Sequence, residues 1–402
     1  MAERQYDYLV VGKGLMGAAA ARHLSAHSPN TALIGPDEPP DRPSHGGVFG
    51  SHYDEGRITR ILDPDRIWAL LAQRSIARYR DIERRSGIPY YDEVGHFAVG
   101  PRPEGSEDYI ARLHAVAKDL GVVYETYEEA AWRERFPYLA FEAGTVGLYQ
   151  PHTAGHVSPR AQVRAQTAVA AQQGATIVRE TVHTVRQVNG GAEVSTEEGN
   201  TYHGAKVLVA TGGFSNTKQL LPRPLDMTVY ARTVVLAELD QAQVEHLQGM
   251  PSIVYRPHAE AERCYLLPPI RYPDGKSYVK IGGGSPLDRA LRTLADLVAW
   301  FRSPGDAEVA RQLADILLKI IPQLRPVSLH SESCVTSFTR TGYPYADMLP
   351  GGRVGVLTGG NGSAAKSADE IGRMGAEMLR AGQWAYDLEA AHFRAQFVGE
   401  GS

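Results

Sequence analysis

The hydrophobic positions near the start of the chain follow a strand–helix–strand pattern. Residues 8–11 form an unbroken apolar run, residues 18–26 are rich in alanine, and residues 31–34 form a second apolar run. Short apolar runs are typical of buried strands, and alanine favours helix. We therefore predict a βαβ unit at the beginning of the chain.

The same α/β rhythm returns in the middle of the chain and near its C-terminus, whereas residues 228–324 alternate apolar and polar positions, with one helical insert. Such alternation is typical of antiparallel strands. Strands are also expected around Phe97 and Leu148. The other predicted helices are residues 67–86, 108–120, 158–173 and 364–380, and the other predicted apolar strands are residues 176–178, 206–210 and 354–357.

These elements predict an α/β protein, α+β overall, with two domains. A chain of 402 residues exceeds the roughly 250–300 residues that one core usually serves. The first domain is a Rossmann-type dinucleotide-binding domain made of three segments, and the second is built on an antiparallel sheet and carries the substrate site. We assign residues 1–90, 151–227 and 325–402 to the first domain and residues 91–150 and 228–324 to the second.

A glycine-rich turn links the first predicted strand to the first helix. It consists of Gly12, Gly14 and Gly17, with Leu15 and Met16 between the last two glycines. A G-x-G-x-x-G turn there lets the backbone and the positive end of the helix approach a pyrophosphate. The turn predicts a dinucleotide but does not separate FAD from NAD.

The second strand lacks the acidic residue that usually binds the ribose of such a nucleotide. Gly35 stands at that position, and Asp37 and Glu38 follow in a proline-rich turn. Asp37 is our candidate for the ribose, although a solvated role for either carboxylate is equally compatible with the sequence.

Charge and composition exclude several classes of protein. The chain has 42 basic and 46 acidic residues, a balance that does not favour a nucleic-acid partner. Its two cysteines, Cys264 and Cys334, do not suggest a disulfide framework, and no Cys/His spacing indicates a metal. No signal peptide or membrane-spanning apolar stretch is apparent. We expect a soluble, cytoplasmic protein, a monomer, that binds small molecules.

A second motif makes the prediction more specific. Residues 50–60 read GSHYDEGRITR, and further landmarks occur at residues 207–216, at Lys280, at residues 338–341 and at residues 359–366. With these motifs the chain resembles the monomeric sarcosine oxidase group of the D-amino-acid oxidase superfamily of flavoproteins, over nearly its whole length. The resemblance implies that the dinucleotide is FAD.

The resemblance also implies roles for four cationic residues. Arg57 and Arg60 would lie at the flavin face, and Arg60 would pair with the substrate carboxylate together with Lys366. The planar guanidinium group suits a carboxylate because it can bind both oxygens. Lys280, on a predicted strand, would assist the reaction with oxygen. Further FAD contacts are expected from Ser51, His52, Arg57, Thr211, Gly212, Gly360, Asn361, Gly362, Ser363 and Lys366.

The sequence departs from the family at three positions around the predicted flavin and substrate. Thr336 stands where the family has the cysteine that bonds to the flavin, and Cys334, two residues earlier, lies about 7 Å away along the strand. We therefore expect noncovalent FAD. Phe338 replaces a tyrosine and Gly284 replaces a histidine, which predicts a wider, less polar pocket for an amine larger than sarcosine.

These features predict an enzyme that uses FAD to oxidise the C–N bond of an amino acid or N-substituted amino acid. The resulting imine would hydrolyse to a carbonyl compound, and molecular oxygen would be reduced to hydrogen peroxide. One alternative is a flavin-dependent dehydrogenase that uses another electron acceptor. An NAD-dependent dehydrogenase would share the glycine turn but would not need residues 359–366.

Overall fold

The computed structural model describes residues 5–106, 108–218 and 220–399. Two large sheets and one small sheet organise this part of the chain. The helices are α1 Leu15–Ser25, α2 Arg66–Ser86, α3 Tyr109–Asp119, α4 Glu129–Arg135, α5 Pro159–Gln172, α6 Gln241–His246, α7 Leu294–Arg302, α8 Ala307–Ile320 and α9 Ala368–Ala381. The strands are β1 Gln5–Val11, β2 Thr31–Ile34, β3 Arg57–Thr59, β4 Tyr91–Asp92, β5 His96–Pro101, β6 Glu125–Tyr127, β7 Thr145–Gln150, β8 Gly155–Val157, β9 Thr176–Val178, β10 Val182–Val188, β11 Gly191–Thr196, β12 Thr201–Val209, β13 Met227–Leu239, β14 Ser252–Tyr255, β15 Cys264–Arg271, β16 Ser277–Gly283, β17 Ala290–Leu291, β18 Ser328–Thr339, β19 Tyr345–Met348 and β20 Val354–Thr358.

The first sheet is built around five parallel strands. Their order is β20, β12, β1, β2 and β9. Residues Leu9, Val10 and Val11 of β1 are buried because helices or loops cover both faces of the sheet. The strand–helix–strand unit predicted at the start of the chain is therefore confirmed, as is the Rossmann-type architecture.

The second sheet has nine strands and is almost entirely antiparallel. Its order is β17, β13, β16, β15, β14, β5, β7 and β6, with β18 also paired to β13. The expected strands at Phe97 and Leu148 are β5 and β7, which pair with each other. The segment 228–324 carries α6, α7 and α8, so the prediction of one helical insert was wrong. The small third sheet joins β3, β8 and β4.

Strand β18 is the last strand of the nine-stranded sheet before the chain returns to the first sheet. It pairs with β13 from Met227↔Thr339 to Glu238↔Ser328, so residues 328–339 lie in the nine-stranded sheet. The domain division drawn from the sequence places these residues with the first domain. The chain then continues into β19 and β20 of the first sheet.

Helix α9 begins at Ala368, four residues later than the sequence predicts. Asp369 and Glu370 occupy its first turn, where negative charge favours the helix dipole. Asp369 is buried and accepts hydrogen bonds from Arg22 (2.6 Å) and Arg78 (2.5 Å). These contacts with α1 and α2 fix the first turn, and Lys366 consequently lies in the turn before the helix.

Candidate active site

The glycine turn has the geometry of a dinucleotide cradle. Gly12 has φ +107°, and a Cβ at this residue would lie 2.4 Å from the carbonyl oxygen of Ala210. A Cβ at Gly17 would lie 1.8 Å from the carbonyl oxygen of Gly12. At Gly14, by contrast, the nearest atom would be Nδ1 of His52, at 4.0 Å. The first and third glycines thus permit close packing, whereas the second leaves space for a phosphate group.

A cavity of about 640 Å³ runs from this turn to the second sheet. Most of the site residues predicted from the sequence line it, whereas Gly17, Asp37 and Lys280 do not. The predicted residues that line it are Gly12, Gly14, Leu15, Met16, Ser51, His52, Arg57, Arg60, Thr211, Gly212, Gly360, Asn361, Gly362, Ser363 and Lys366.

Asp37, the candidate for the ribose, is not among the residues that line the cavity. Its carboxylate is 59% exposed and pairs with Lys13 and with Arg179, at 2.9 Å from the latter. Glu38 pairs with Arg160 at 2.6 Å. Gly35 leaves room for Lys13, since a Cβ there would lie 2.7 Å from the Lys13 backbone nitrogen. The contact of Asp37 with a ribose stays a prediction.

The loop that carries Asn361 is held against the end of β18. Asn361 has φ +48°, and its backbone N–H donates to the carbonyl oxygen of Ser337 (2.8 Å). Its side-chain oxygen accepts a hydrogen bond from the backbone N–H of Thr339 (3.0 Å). Residues 359–366 therefore form a fixed wall of the cavity.

Arg60 and Lys366 come together in the structure and share a third residue, Asp63. The Asp63 carboxylate lies 2.7 Å from Arg60 Nη1 and 3.2 Å from Lys366 Nζ. Burial alone would raise the pKa of Asp63, but Lys366 and Arg60 lower it to about 2. Lys366 also lies 5.3 Å from the centre of the Trp68 ring. The two predicted carboxylate ligands are thus prepositioned by an acid that the sequence reasoning missed.

Arg57 and Lys280 share a carboxylate in the same way. Asp54 forms ion pairs with both cations and accepts a hydrogen bond from the hydroxyl of Tyr272 (2.9 Å). Lys280 is fully buried, and its Nζ also donates to the carbonyl oxygen of Gly56 (3.0 Å). Burial, and then the charge of Arg57, lower the pKa of Lys280 to about 8. Lys280 therefore lies behind the cavity wall.

Both unexpected acids had a signal in the sequence. Asp54 precedes Arg57 by three residues, and Asp63 follows Arg60 by three residues, within one loop and its short strand. A carboxylate at this spacing from each arginine is a local candidate for an ion pair.

His52 does not add charge to the site. Its half-buried ring lies near Arg160, Lys13 and Arg57, and loss of hydration together with these charges lowers its pKa to about 3. The ring is therefore neutral at physiological pH.

The wall near Thr336 contains an arginine that the sequence reasoning also missed. Arg232 Nε donates to Thr336 Oγ1 (2.8 Å), and its guanidinium lies 5.6 Å from the centre of the Phe338 ring. A Cβ at Gly284 would lie 3.3 Å from Arg232 Nη1. Arg232 thus extends into the space beside Gly284 and places a cation there, and the wider, less polar pocket expected from Phe338 and Gly284 stays a prediction. Cys334 also lines the cavity and accepts a hydrogen bond from Arg57 (3.4 Å).

The described residues contain neither a metal-binding cluster nor a membrane-spanning helix. No group of three or more His, Cys, Asp or Glu side chains in this part of the chain is arranged to hold a metal ion. Among the helices described, none combines the length and apolar character required to cross a bilayer.

Comparison with known proteins identifies the family. Residues 7–378 match the family model described as FAD dependent oxidoreductase. Monomeric sarcosine oxidase of Streptomyces avermitilis is 32% identical over 214 residues, which are 52% of this chain and 52% of that protein. N-methyl-L-tryptophan oxidase of Yersinia pestis is 24% identical over 219 residues, 54% of this chain and 56% of that protein. The matched region thus spans about half the length of these relatives.

A solved structure shows the same fold over almost the whole chain. NikD, described as an unusual amino acid oxidase essential for nikkomycin biosynthesis, superposes with a TM-score of 0.77. The sequences are 19% identical, and the superposition covers 98% of each chain. The match of the family model over most of the chain agrees with the glycine cradle and the cavity. The chain belongs to the FAD-dependent oxidoreductase family, and FAD is its cofactor.

Proposed function

We propose that this protein oxidises the C–N bond of an amino acid or N-substituted amino acid. The observation that carries the proposal is the continuity of one cavity from the dinucleotide cradle to Arg60 and Lys366. A substrate held by its carboxylate at these two cations would lie in the same space as the reactive end of the cofactor. The names of the two relatives, a sarcosine oxidase and an N-methyl-L-tryptophan oxidase, support the same class of substrate.

Arg60 and Lys366 would orient the substrate. Arg60 Nη1 is engaged by Asp63, and none of the described residues accepts a hydrogen bond from its Nη2. Lys366 Nζ contacts Asp63 and the carbonyl oxygen of Ser363, each at 3.2 Å, which leaves one N–H free. Two such donors would fix the carboxylate, and correct positioning supplies much of the rate of an enzymatic reaction.

The cationic lining would also act on the substrate amine. A positive environment disfavours the ammonium form, and the neutral amine is the form that can lose a hydride from the neighbouring carbon. FAD, when bound, supplies the acceptor for that hydride. The imine product would then hydrolyse to a carbonyl compound and an amine.

Molecular oxygen is the electron acceptor that we favour. Lys280 supplies a fixed positive charge in a dry region, where it would stabilise negative charge developing on oxygen. The burial of Lys280 behind Asp54 also makes a second candidate function worth testing, a dehydrogenase that passes electrons to another acceptor. Family membership removes the third alternative, an NAD-dependent dehydrogenase.

Several finer expectations also stay proposals. We propose that FAD is bound noncovalently, because Thr336 offers no thiol at the position where the related family attaches its flavin. The monomeric state and the cytoplasmic location expected from the sequence stay predictions.

A direct test measures both halves of the reaction. The purified holoenzyme is mixed anaerobically with N-methyl and unsubstituted amino acids while flavin absorbance is followed, and air is then admitted. Bleaching by an amino acid followed by stoichiometric hydrogen peroxide supports the oxidase. Bleaching without peroxide, with turnover on an artificial acceptor, identifies the dehydrogenase. No bleaching by any carboxylate-bearing amine contradicts the proposal.

A further inference from the structure

The charges that line the cavity are all of one sign. Eight basic residues face it, and none of the described lining residues is Asp or Glu. The eight are Lys13, Arg57, Arg60, Lys218, Arg232, Arg256, Arg263 and Lys366. Every carboxylate that balances them lies behind the wall or outside the cavity.

Ion pairs account for seven of these eight cations. Lys13 and Lys218 pair with Asp37 and Glu197. Arg57 pairs with Asp54, Arg232 pairs with Asp288, and Asp63 serves both Arg60 and Lys366. Arg263 pairs with Glu260 at 2.6 Å, but the Glu260 side chain is 79% exposed. Arg256, an exposed residue that also lines the cavity, has no carboxylate within ion-pair distance in the described part of the chain.

Arg256 and Arg263 occupy corresponding positions just beyond the paired part of β14 and β15. Strands β14 and β15 pair from Ile253↔Leu266 to Tyr255↔Cys264, so the next two positions along the hairpin are these arginines. Like charges opposite each other on neighbouring strands destabilise a sheet. Arg263 Nε is moreover buried without a hydrogen-bond partner. A pair of this kind is stabilised when an anion lies between the two guanidinium groups.

The cofactor does not provide that anion. Its pyrophosphate belongs at the glycine turn of the first sheet, whereas the hairpin of Arg256 and Arg263 belongs to the second. The hairpin and the substrate clamp line the same cavity, and Arg60 and Arg256 both act on Tyr109, whose pKa is raised by burial and lowered by each of the two arginines. The hydroxyl of Tyr109 is itself buried and unpartnered.

We propose that Arg256, with Arg263 opposite it, binds a second carboxylate of the substrate. The substrate is then a dicarboxylic amine, an amino acid whose side chain or N-substituent carries an acid. One carboxylate would bind at Arg60 and Lys366 and the other at the hairpin. The choice of reaction rests on the function proposed above, but the dicarboxylate site itself can be tested without turnover.

The test uses succinate and succinamate, which have nearly the same shape but differ by one negative charge. Each is titrated into the holoenzyme while the flavin absorption spectrum is recorded. Succinate is expected to bind about tenfold more tightly, a typical value for one charge-assisted hydrogen bond. Arg256→Gln is expected to remove this preference without changing the affinity for succinamate, and Arg256→Lys to keep most of it. Arg271→Gln, at an exposed arginine outside the cavity, is the matched control and is expected to keep the preference in full.

Three results would overturn the site: equal binding of the two ligands, a preference that survives in Arg256→Gln, or no binding of succinate. Failure of the proposed reaction gives a different pattern, in which succinate is still preferred but no amine reduces the flavin. If the reaction is correct and the site is not, N-methylaspartate and N-methylasparagine are oxidised with the same kcat/KM.

Discussion

Asp63 places its carboxylate 3.2 Å from the ammonium group of Lys366, in a region where both side chains are almost fully buried. The same carboxylate lies 2.7 Å from Arg60. The two cations proposed to bind the substrate carboxylate are therefore already neutralised in part before any ligand arrives. The shared carboxylate allows two positive groups to be buried side by side, because a buried charge without a partner is strongly destabilising.

Asp63→Asn is expected to lower the free energy of unfolding by about 3 kcal/mol, because it leaves two buried cations without their shared acid. Chemical denaturation of the apoprotein measures this. A bound carboxylate should restore more stability to the variant than it adds to the parent. Asp387→Asn, which removes an exposed partner of Arg74, is the control and should cost less than about 1 kcal/mol. Equal losses in the two variants would contradict the role of Asp63.

The contribution of Asp63 should also depend on pH. Its folded pKa of about 2 lies below the value of about 4 for an unfolded aspartate. A depressed pKa stabilises the folded state fully above the unfolded pKa, and this stabilisation disappears as the pH falls from about 4 through about 2. The difference in unfolding free energy between the parent and Asp63→Asn should therefore shrink across that range. A difference that stays constant down to pH 2 would argue against the ion pair.

Arg60→Ala is expected to reduce kcat/KM for carboxylate-bearing amines by about 10- to 100-fold, because one charge-assisted contact is lost. FAD content, read from the ratio of flavin to protein absorbance, should stay unchanged. Arg60→Lys keeps the charge but loses the planar guanidinium group, so its kcat/KM should lie between the values of the parent and of Arg60→Ala. Unchanged activity of Arg60→Ala would exclude the carboxylate clamp.

Gly14→Ala and Gly17→Ala should fail in different ways. A Cβ at Gly14 meets no atom closer than 4.0 Å, so the apoprotein should keep its melting temperature while FAD affinity drops, because the methyl group enters the phosphate space. A Cβ at Gly17 would lie 1.8 Å from a backbone oxygen, so that variant should lose stability even without FAD. Thermal melts of both apoproteins and FAD titrations separate the outcomes. Equal FAD affinity of Gly14→Ala and the parent would contradict the placement of the FAD pyrophosphate at this turn.

Reoxidation of the reduced flavin by oxygen should slow as the pH rises through about 8, because Lys280 then loses its proton. Stopped-flow mixing with oxygen between pH 6 and pH 10 measures the rate. Lys280→Met should be slow and insensitive to pH in this range, and Asp54→Asn should move the transition to lower pH by removing the adjacent negative charge. A pH-independent rate in the parent would contradict the role assigned to Lys280.

The sequence predicted those parts of the site that are local in the chain. The glycine turn, the loop of Arg57 and Arg60 and the segment 359–366 were found because each is a short motif, and the structure brings them to one cavity. The start of α9 was misplaced, because Asp369 is fixed by Arg22 and Arg78 from distant helices. Arg232 and Arg256 were missed for a related reason. Their position at the cavity depends on strand pairing between segments that carry no shared motif.

Strand β18 has a mechanical consequence for how ligands enter. It is paired with β13 over its whole length, carries Cys334, Thr336 and Phe338 on the cavity wall, and ends at the residues that hold Asn361. The ladder lies within the nine-stranded sheet, and the hydrogen bonds of Asn361 to Ser337 and Thr339 tie its end to the loop that follows β20 of the first sheet. Opening of one sheet away from the other would have to break these bonds. We expect the wall formed by the end of β18 and residues 359–366 to keep its shape while substrate and product exchange.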